Sequence, residues 1–333
     1  MFSREFYERI VAATIILVFL ARCTKAIPIA SPTHSNPPPL SQPVQPQTLP
    51  PSSQPPDQPT GQVNKCSEKD ISPLGVLRST DHGATWTSPG HACMRDLNIK
   101  PVDPTCFSLD GRIVLYLVDL DSLGKPVPQS IYRATSMDGV NFDTPQPVYT
   151  QTITMVDPFV LPLADGSFRL YTPSEEEGII SALSTNGAEF KREEGARFQL
   201  GEGGMPGGLL LPDGRVRMFL NGVKDGQPGI FSMISEDGLN FTPEPGLRIL
   251  GSGETIINDA QPIRITNGGY LMLYQGLPGN MMDQPNPPSY TESYLASSTD
   301  GFNWVTNPDK VVNSGTSCIS EMPDGTLYIY YGS

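Results

Sequence analysis

Two short sequence elements alternate through residues 66–333, five copies of each, and a chain patterned this way folds as a series of like units. The first element is set by Ser79, Asp81, Gly83 and Trp86. It returns at Ser136, Asp138, Gly139 and Phe142, and again at Ser184, Asn186, Gly187 and Phe190. Two further copies are Ser235, Asp237, Gly238 and Phe241, then Ser298, Asp300, Gly301 and Trp304. The second element is a short alternating strand, an Asp-Gly or Asn-Gly step, and another strand that ends in an aromatic. Its turns at Asp110, Asp165, Asp213, Asn267 and Asp324 are spaced 55, 48, 54 and 57 residues apart. One such unit cannot cover its own apolar face, so neighbours must cover it.

The local chemistry of each copy is that of antiparallel β structure. Asp-Gly and Asn-Gly supply the positive φ angles of hairpin turns. Flanking runs such as Phe159–Leu161 and Phe168–Tyr171 are rich in strand formers and alternate apolar with polar residues. In the Ser-x-Asp element the Ser and Asp side chains can accept backbone N–H bonds, and the Trp or Phe that follows packs between sheets. Together the two hairpins predict a four-stranded blade, and the repeats predict an all-β, five-bladed β-propeller. The last copy supplies only two strands, around Leu327–Tyr331. The stretch from Leu74 to Trp86 supplies a hairpin with no Asp-Gly partner before it. Strands from the two ends therefore share one blade, which closes the ring and removes its open edges.

Composition narrows the function classes. With 32 Gly and 35 Pro in 333 residues, a helical bundle is excluded, since both residues break helix interiors. A net charge of −13 argues against nucleic acid as a partner. Only three histidines, His34, His82 and His91, leave little for a His-rich zinc site or a Ser-His-Asp triad. No cofactor or metal is expected.

Residues 1–26 read as a signal peptide. Arg4 and Arg9 precede an apolar run of 12 residues, Ile10 to Ala21, against the roughly 20 needed to span a bilayer. Cleavage after Ala26 suits the small residues there. Leu20-Ala21-Arg22-Cys23 offers a lipoprotein box instead, with Cys23 acylated and the protein held at a membrane, although Arg22 stands where that box wants a small residue. An uncleaved anchor is the third reading. Residues 27–65 are a Pro-rich spacer that cannot bury a core, with 11 prolines between residues 31 and 60. The expected location is secreted, periplasmic or at the cell surface, and the protein is read as a monomer.

The segment Ser79 to Trp86 matches the Asp-box of sialidases, Ser-x-Asp-x-Gly-x-x-Trp, at every fixed position; the other four copies are one residue shorter. The Asp-Pro, Asp-Gly and Tyr units, as at Asp103-Pro104 with Tyr116, resemble the five-bladed glycosidases: arabinanases, β-xylosidases, invertases and levansucrases. That resemblance implies a glycan substrate and inner-strand carboxylates facing an axial funnel, one to protonate the leaving oxygen and one to activate water or attack. Asp103 matches the family's general base. Asp157, in the same Asp-Pro step one blade later, takes a positioning role. Asp259, eight residues before Asn267, falls where the family's acid is expected, though the family prefers Glu there.

Blade three departs from the pattern, because the corresponding position holds Met205. Glu202, in the loop before it, and Arg95 are the candidate substrate-binding residues. Thr316 and Cys318 stand where a histidine is common. A non-catalytic carbohydrate- or protein-binding propeller is the alternative that Met205 favours, the Asp-Pro steps then serving only to cap strand starts. Sialidase activity is disfavoured: Arg95, Arg133, Arg169, Arg217 and Arg264 mostly alternate with apolar residues and read as a solvated blade face, and an acidic protein does not steer anionic sugars.

Four cysteines remain beyond Cys23, and four allow three connectivities. Export favours pairing. Cys106 and Cys318 fall on inner strands of neighbouring blades, which favours Cys106–Cys318 and leaves Cys66–Cys93; four buried thiols are the alternative.

Overall fold

The computed structural model describes residues 66–123, 125, 127–174, 177–199, 204–251, 255–278 and 291–332. The expected signal peptide, the spacer, Cys23 and Glu202 lie outside these residues. Among the described residues the regular structure is β-strand apart from two 3-10 turns, Glu68–Asp70 and Leu120–Ser122. The strands run β1 (Ile71–Ser79), β2 (Thr87–Met94), β3 (Pro101–Leu109), β4 (Arg112–Asp119), β5 (Gln129–Ser136), β6 (Asn141–Phe142) and β7 (Gln146–Gln151). Then come β8 (Phe159–Pro162), β9 (Phe168–Ser174), β10 (Gly178–Ser184) and β11 (Lys191–Phe198). After these follow β12 (Gly204–Leu210), β13 (Val216–Lys224), β14 (Gln227–Ser235) and β15 (Thr242–Leu250). The last are β16 (Thr255–Arg264), β17 (Tyr270–Pro278), β18 (Thr291–Ser298), β19 (Val305–Ser314), β20 (Ser317–Glu321) and β21 (Leu327–Gly332).

Strands β8–β11, β12–β15 and β16–β19 form separate four-stranded antiparallel sheets. A nine-stranded sheet contains the run β3-β4-β5-β7 and the run β20-β21-β1-β2. The second run joins distant parts of the chain, with β1 antiparallel to β21 from Leu74 opposite Gly332 to Ser79 opposite Leu327. That is the pairing the sequence predicts. A short parallel match of β2 with β6 links the two runs. The first strands of the runs touch one another in turn: β3 with β8, β8 with β12, β12 with β16, β16 with β20, and β20 with β3. The arrangement of all-β four-stranded sheets is that of a propeller.

Between β3 and β4 the two loop residues, Asp110 and Gly111, both have positive φ (50° and 72°), the primed turn that matches strand twist. The other Asp-Gly and Asn-Gly turns are longer. At Asp165-Gly166, for example, the Leu163 N–H bonds the Ser167 carbonyl and the Gly166 N–H bonds the Leu163 carbonyl, so the glycine takes the left-handed corner of a type I turn.

The Ser-x-Asp turns are held from within. Ser136 Oγ accepts the Gly139 N–H at 2.9 Å, while Asp138 Oδ1 accepts the N–H groups of Val140 (2.9 Å) and Asn141 (2.7 Å). The same bonding keeps the Asp237 carboxyl well below the usual carboxylate range, led by the Asn240 N–H. These turns also reach across to the neighbouring run. Tyr116 Oη donates to the Gly187 carbonyl (2.7 Å), Tyr171 Oη to that of Gly238 (2.8 Å) and Tyr330 Oη to that of Gly139 (2.7 Å). The aromatic after each of these three turns meets the same tyrosine edge-on, as in Phe142 with Tyr330 at 5.6 Å and Phe190 with Tyr116 at 6.0 Å. Where β13 carries Phe219 in place of tyrosine, the Arg217 guanidinium supplies the hydrogen bond, donating to the Gly301 carbonyl at 3.1 Å. Apolar clusters fill the spaces between adjacent runs; one of them packs Tyr171, Met218 and Phe241 together.

Two arginines that the alternation places in solvent are buried instead. Arg169 and Arg217 are only 7% and 8% exposed. Each makes a two-pronged pair with a glutamate of the outermost strand. Arg169 reaches Glu193 at 2.9 and 3.1 Å, and Arg217 reaches Glu244 at 2.7 and 2.9 Å. Ser181 and Ser232 satisfy the same carboxylates. Alternation misleads here because sheets packed face to face bury both of their faces.

Replacing Tyr171 by Phe strands the Gly238 carbonyl in a buried seam. We expect a loss of about 1–3 kcal/mol, seen as a lower urea midpoint. Tyr294→Phe, which removes a hydroxyl bonded to the solvent-accessible Glu292, should cost under about 0.5 kcal/mol.

Candidate functional site

Four of the expected funnel positions share one backbone device. Asp103 in β3, Met205 in β12 and Asp259 in β16 sit at breaks in strand register, and Asp157 sits just before β8. All four have left-handed φ, at 49°, 48°, 49° and 42° respectively. A left-handed residue at a bulge re-aims its side chain away from the regular strand alternation. Aspartate tolerates that conformation better than most residues because its short polar side chain bonds locally. The fifth position, Thr316, precedes β20.

The three aspartates converge. Thr316 Oγ1 donates to Asp103 Oδ1 at 2.9 Å, and the Asp157 N–H approaches Asp103 Oδ2 at 3.5 Å. Asp259 is 4% exposed, whereas Asp103 and Asp157 are half-buried. Its oxygens accept from Gln261 Nε2 (2.9 Å), Gln275 Nε2 (3.1 Å) and the Ser317 N–H (3.2 Å). Gln275 also holds the Gly315 carbonyl. These partners were not singled out from sequence. Gln261 could have been, because it lies two residues beyond Asp259 on one strand; Gln275 and Ser317 come from other strands and needed the pairing.

Burial raises all three carboxyls above the ordinary range. For Asp103, the Thr316 hydroxyl and the Asp157 N–H oppose that rise. Asp259 is pushed up to about 6, chiefly by burial, with Gln261 and the Ser317 N–H resisting and the charge of Asp103 adding to it. Asp157 goes well above the usual value, by burial and then by repulsion from Asp103 and Asp259. Among the described residues no cation acts on any of the three. The residues outside the described set between 66 and 333 contain no Lys, Arg or His either.

Met205 is buried at its bulge, 8% exposed, yet belongs to none of the apolar clusters between the sheets. Arg95 is exposed just beyond β2; its N–H bonds the Phe142 carbonyl, and its charge reaches none of the aspartates. Among the described residues no group of three His, Cys, Asp or Glu is placed to hold a metal ion. Both expected disulfides are formed: Cys66–Cys93 with Cα atoms 5.7 Å apart, and Cys106–Cys318 with Cα atoms 5.8 Å apart. The second ties β3 to β20, three residues from Asp103 and two from Thr316. Two such bonds point to an oxidising, extracytoplasmic location.

No sequence-family model matches the chain, and no curated protein matches it in sequence. Solved structures do match in fold. An endo-arabinase from Bacteroides thetaiotaomicron aligns with a TM-score of 0.52 at 14% identity, covering 68% of this chain and 88% of that one. An endo-1,4-β-xylanase from the same organism gives 0.51 at 16% identity over 70% and 86% of the two chains. A structure from the mannoside phosphorylase family, described as containing hydrolases that target β-1,2 mannosidic linkages in Candida mannan, gives 0.51 at 19% over 70% and 80%. At these identities the likeness shows the fold alone: that of the propeller glycoside hydrolases.

The raised carboxyls fix the sign of a pH effect. Asp259, near 4 when unfolded and about 6 when folded, holds in the native state a proton the unfolded chain has lost, and burial drives Asp157 and Asp103 in the same direction. Stability therefore falls as pH rises through that window. Asp157→Asn removes the most strongly affected group. It should raise Tm at pH 8 by roughly 2–4 °C, on the order of 1 kcal/mol, and leave Tm at pH 4 nearly unchanged in scanning calorimetry.

Proposed function

We propose that the runs of strands are five blades of a closed ring and that the protein is an exported hydrolase of neutral glycans. In this reading Asp103 is the base that activates water, and its carboxyl partner is drawn from Asp157 and Asp259. The observation that carries it is the meeting of half-buried Asp103 and Asp157, backed by Asp259, with no cation among them. Glycosidic cleavage needs two carboxyl groups in different protonation states, and mutual repulsion in a desolvated pocket produces them. The likeness in fold to arabinan- and xylan-cleaving enzymes supports a carbohydrate substrate.

The missing cation also bears on substrate class. Binding a sialic or uronic acid, or an inorganic phosphate nucleophile, calls for an Arg or Lys clamp. Arg169 and Arg217 are consumed by Glu193 and Glu244. Hydrolysis of an uncharged sugar therefore fits better than sialidase or phosphorylase chemistry. Glu202 and Arg95 remain proposed substrate contacts. Attachment to a membrane through acylated Cys23 would suit an enzyme working on polymers outside the cell. The binding-module reading has its own observation, Met205, which puts an apolar side chain where the resemblance implies a carboxylate.

Incubation with arabinan, xylan, β-mannan and the 4-nitrophenyl glycosides of arabinofuranose, xylose and mannose tests this. We expect phosphate-independent hydrolysis of at least one, lowered about 10²–10⁴-fold in kcat/KM by Asp103→Asn, and none of a sialyl substrate. Glycan binding without turnover, unchanged by Asp103→Asn, would favour the binding module.

A further inference from the structure

Position along the repeats makes Asp259 the acid, but the hydrogen-bond inventory of the three carboxyls distributes the proton differently. Asp259 meets only donors: two glutamine amides and one backbone N–H, none of which can accept a proton from it. A carboxyl surrounded in this way, pushed only to about 6, is an anion at neutral pH. It is also 4% exposed, less open to a sugar than the half-buried Asp103 and Asp157. Asp103 has a hydroxyl and a more distant N–H directed at it, which likewise favour its ionised form. The Asp157 carboxyl receives no hydrogen bond from any described residue, is half-buried, and faces two carboxylates. Glu175, Glu176 and Glu202 lie outside the described residues. Among those described, the first strands packed against its own contribute Asp103 from β3 and Met205, which does not titrate, from β12; the charge of Asp259 in β16 acts on it after that of Asp103. Arg169 of its own sheet is committed to Glu193.

We infer that Asp157, not Asp259, holds the proton delivered to the leaving oxygen, and that Asp259 is a positioning residue whose fixed negative charge keeps that proton in place. The inference rests on the glycosidase reading for its chemistry, though not for its protonation states. The Asp157 O–H gives its proton to the glycosidic oxygen as the bond from that oxygen to the anomeric carbon breaks, the electron pair leaving with oxygen. Water bonds to the anomeric carbon and passes a proton to Asp103. The products are a reducing sugar and an alcohol. The enzyme is left with Asp103 protonated and Asp157 ionised, and exchange with solvent at these half-buried groups restores the starting state.

The test is a pH titration of protein labelled with ¹³C at aspartate side-chain carboxyls, followed by NMR on wild type, Asp157→Asn and Asp259→Asn. A carboxyl still protonated at neutral pH should vanish in Asp157→Asn. In Asp259→Asn it should persist but titrate at lower pH, since a repelling charge has gone. Loss of that signal in Asp259→Asn, with retention in Asp157→Asn, would overturn the assignment. Should Asp157→Asn fail to fold, Asp157→Ser and the infrared carbonyl band of the protonated acid in wild type give the same reading. Kinetics on whichever probe glycoside is cleaved add a second arm. Asp157→Asn should slow cleavage of a sugar leaving group at least about 10²-fold but leave a 2,4-dinitrophenyl leaving group, which needs no proton, within about tenfold. Equal losses on both would count against Asp157 as the donor. If no probe is cleaved but the titration behaves as described, the glycosidase reading fails and the proton assignment stands.

Discussion

The tyrosine hydroxyl bonded to the glycine carbonyl of a neighbouring turn is the contact on which the rest of the architecture leans. A buried carbonyl without a partner is costly, and these turns cannot satisfy their own. The glycine belongs to the same bond. At Gly187 and Gly238 φ is 68° and 69°, and an added Cβ would stand 2.9 Å from the hydroxyl of Tyr116 or Tyr171. At Gly139, Gly187 and Gly238 the two repeating sequence elements are thus halves of one interaction, made between neighbours rather than within a repeat. No single four-stranded unit contains it, so order in one unit requires order in the next.

That lateral registration decides how the first strands meet, and with it where the bulges aim their aspartates. The Asp-Pro steps marked Asp103 and Asp157, and counting back eight residues from the next turns led to Met205 and Asp259. The two disulfides were legible as well. The roles within the site were not. Asp157 and Asp259 look alike along the chain, and differ because Gln275 and Ser317 approach one of them from strands that are remote in sequence. Arg169 and Arg217 were misread for a related cause: period-two alternation separates the faces of a strand, and in a stack of sheets neither face is necessarily wet.

Met205 carries a backbone cost that its neighbours in the pattern do not. A long unbranched side chain gains no local hydrogen bond from the left-handed conformation, whereas aspartate can. A fourth carboxylate at that bulge would, however, join three that already raise one another's affinity for protons. An apolar residue there limits the charge that the pocket must hold, at the expense of a group that could have touched a substrate.

The Cys106–Cys318 bond has a topological consequence. It closes most of the chain into a covalent loop that contains Asp157, Met205, Asp259 and Thr316. A single peptide-bond cut anywhere inside that loop releases no fragment, because both new ends remain joined through the sulfur bridge. Outside a cell, where peptidases are common and resynthesis is absent, a nicked molecule would keep its aspartates on one connected chain. Loss of material would require either a second cut or a reductant.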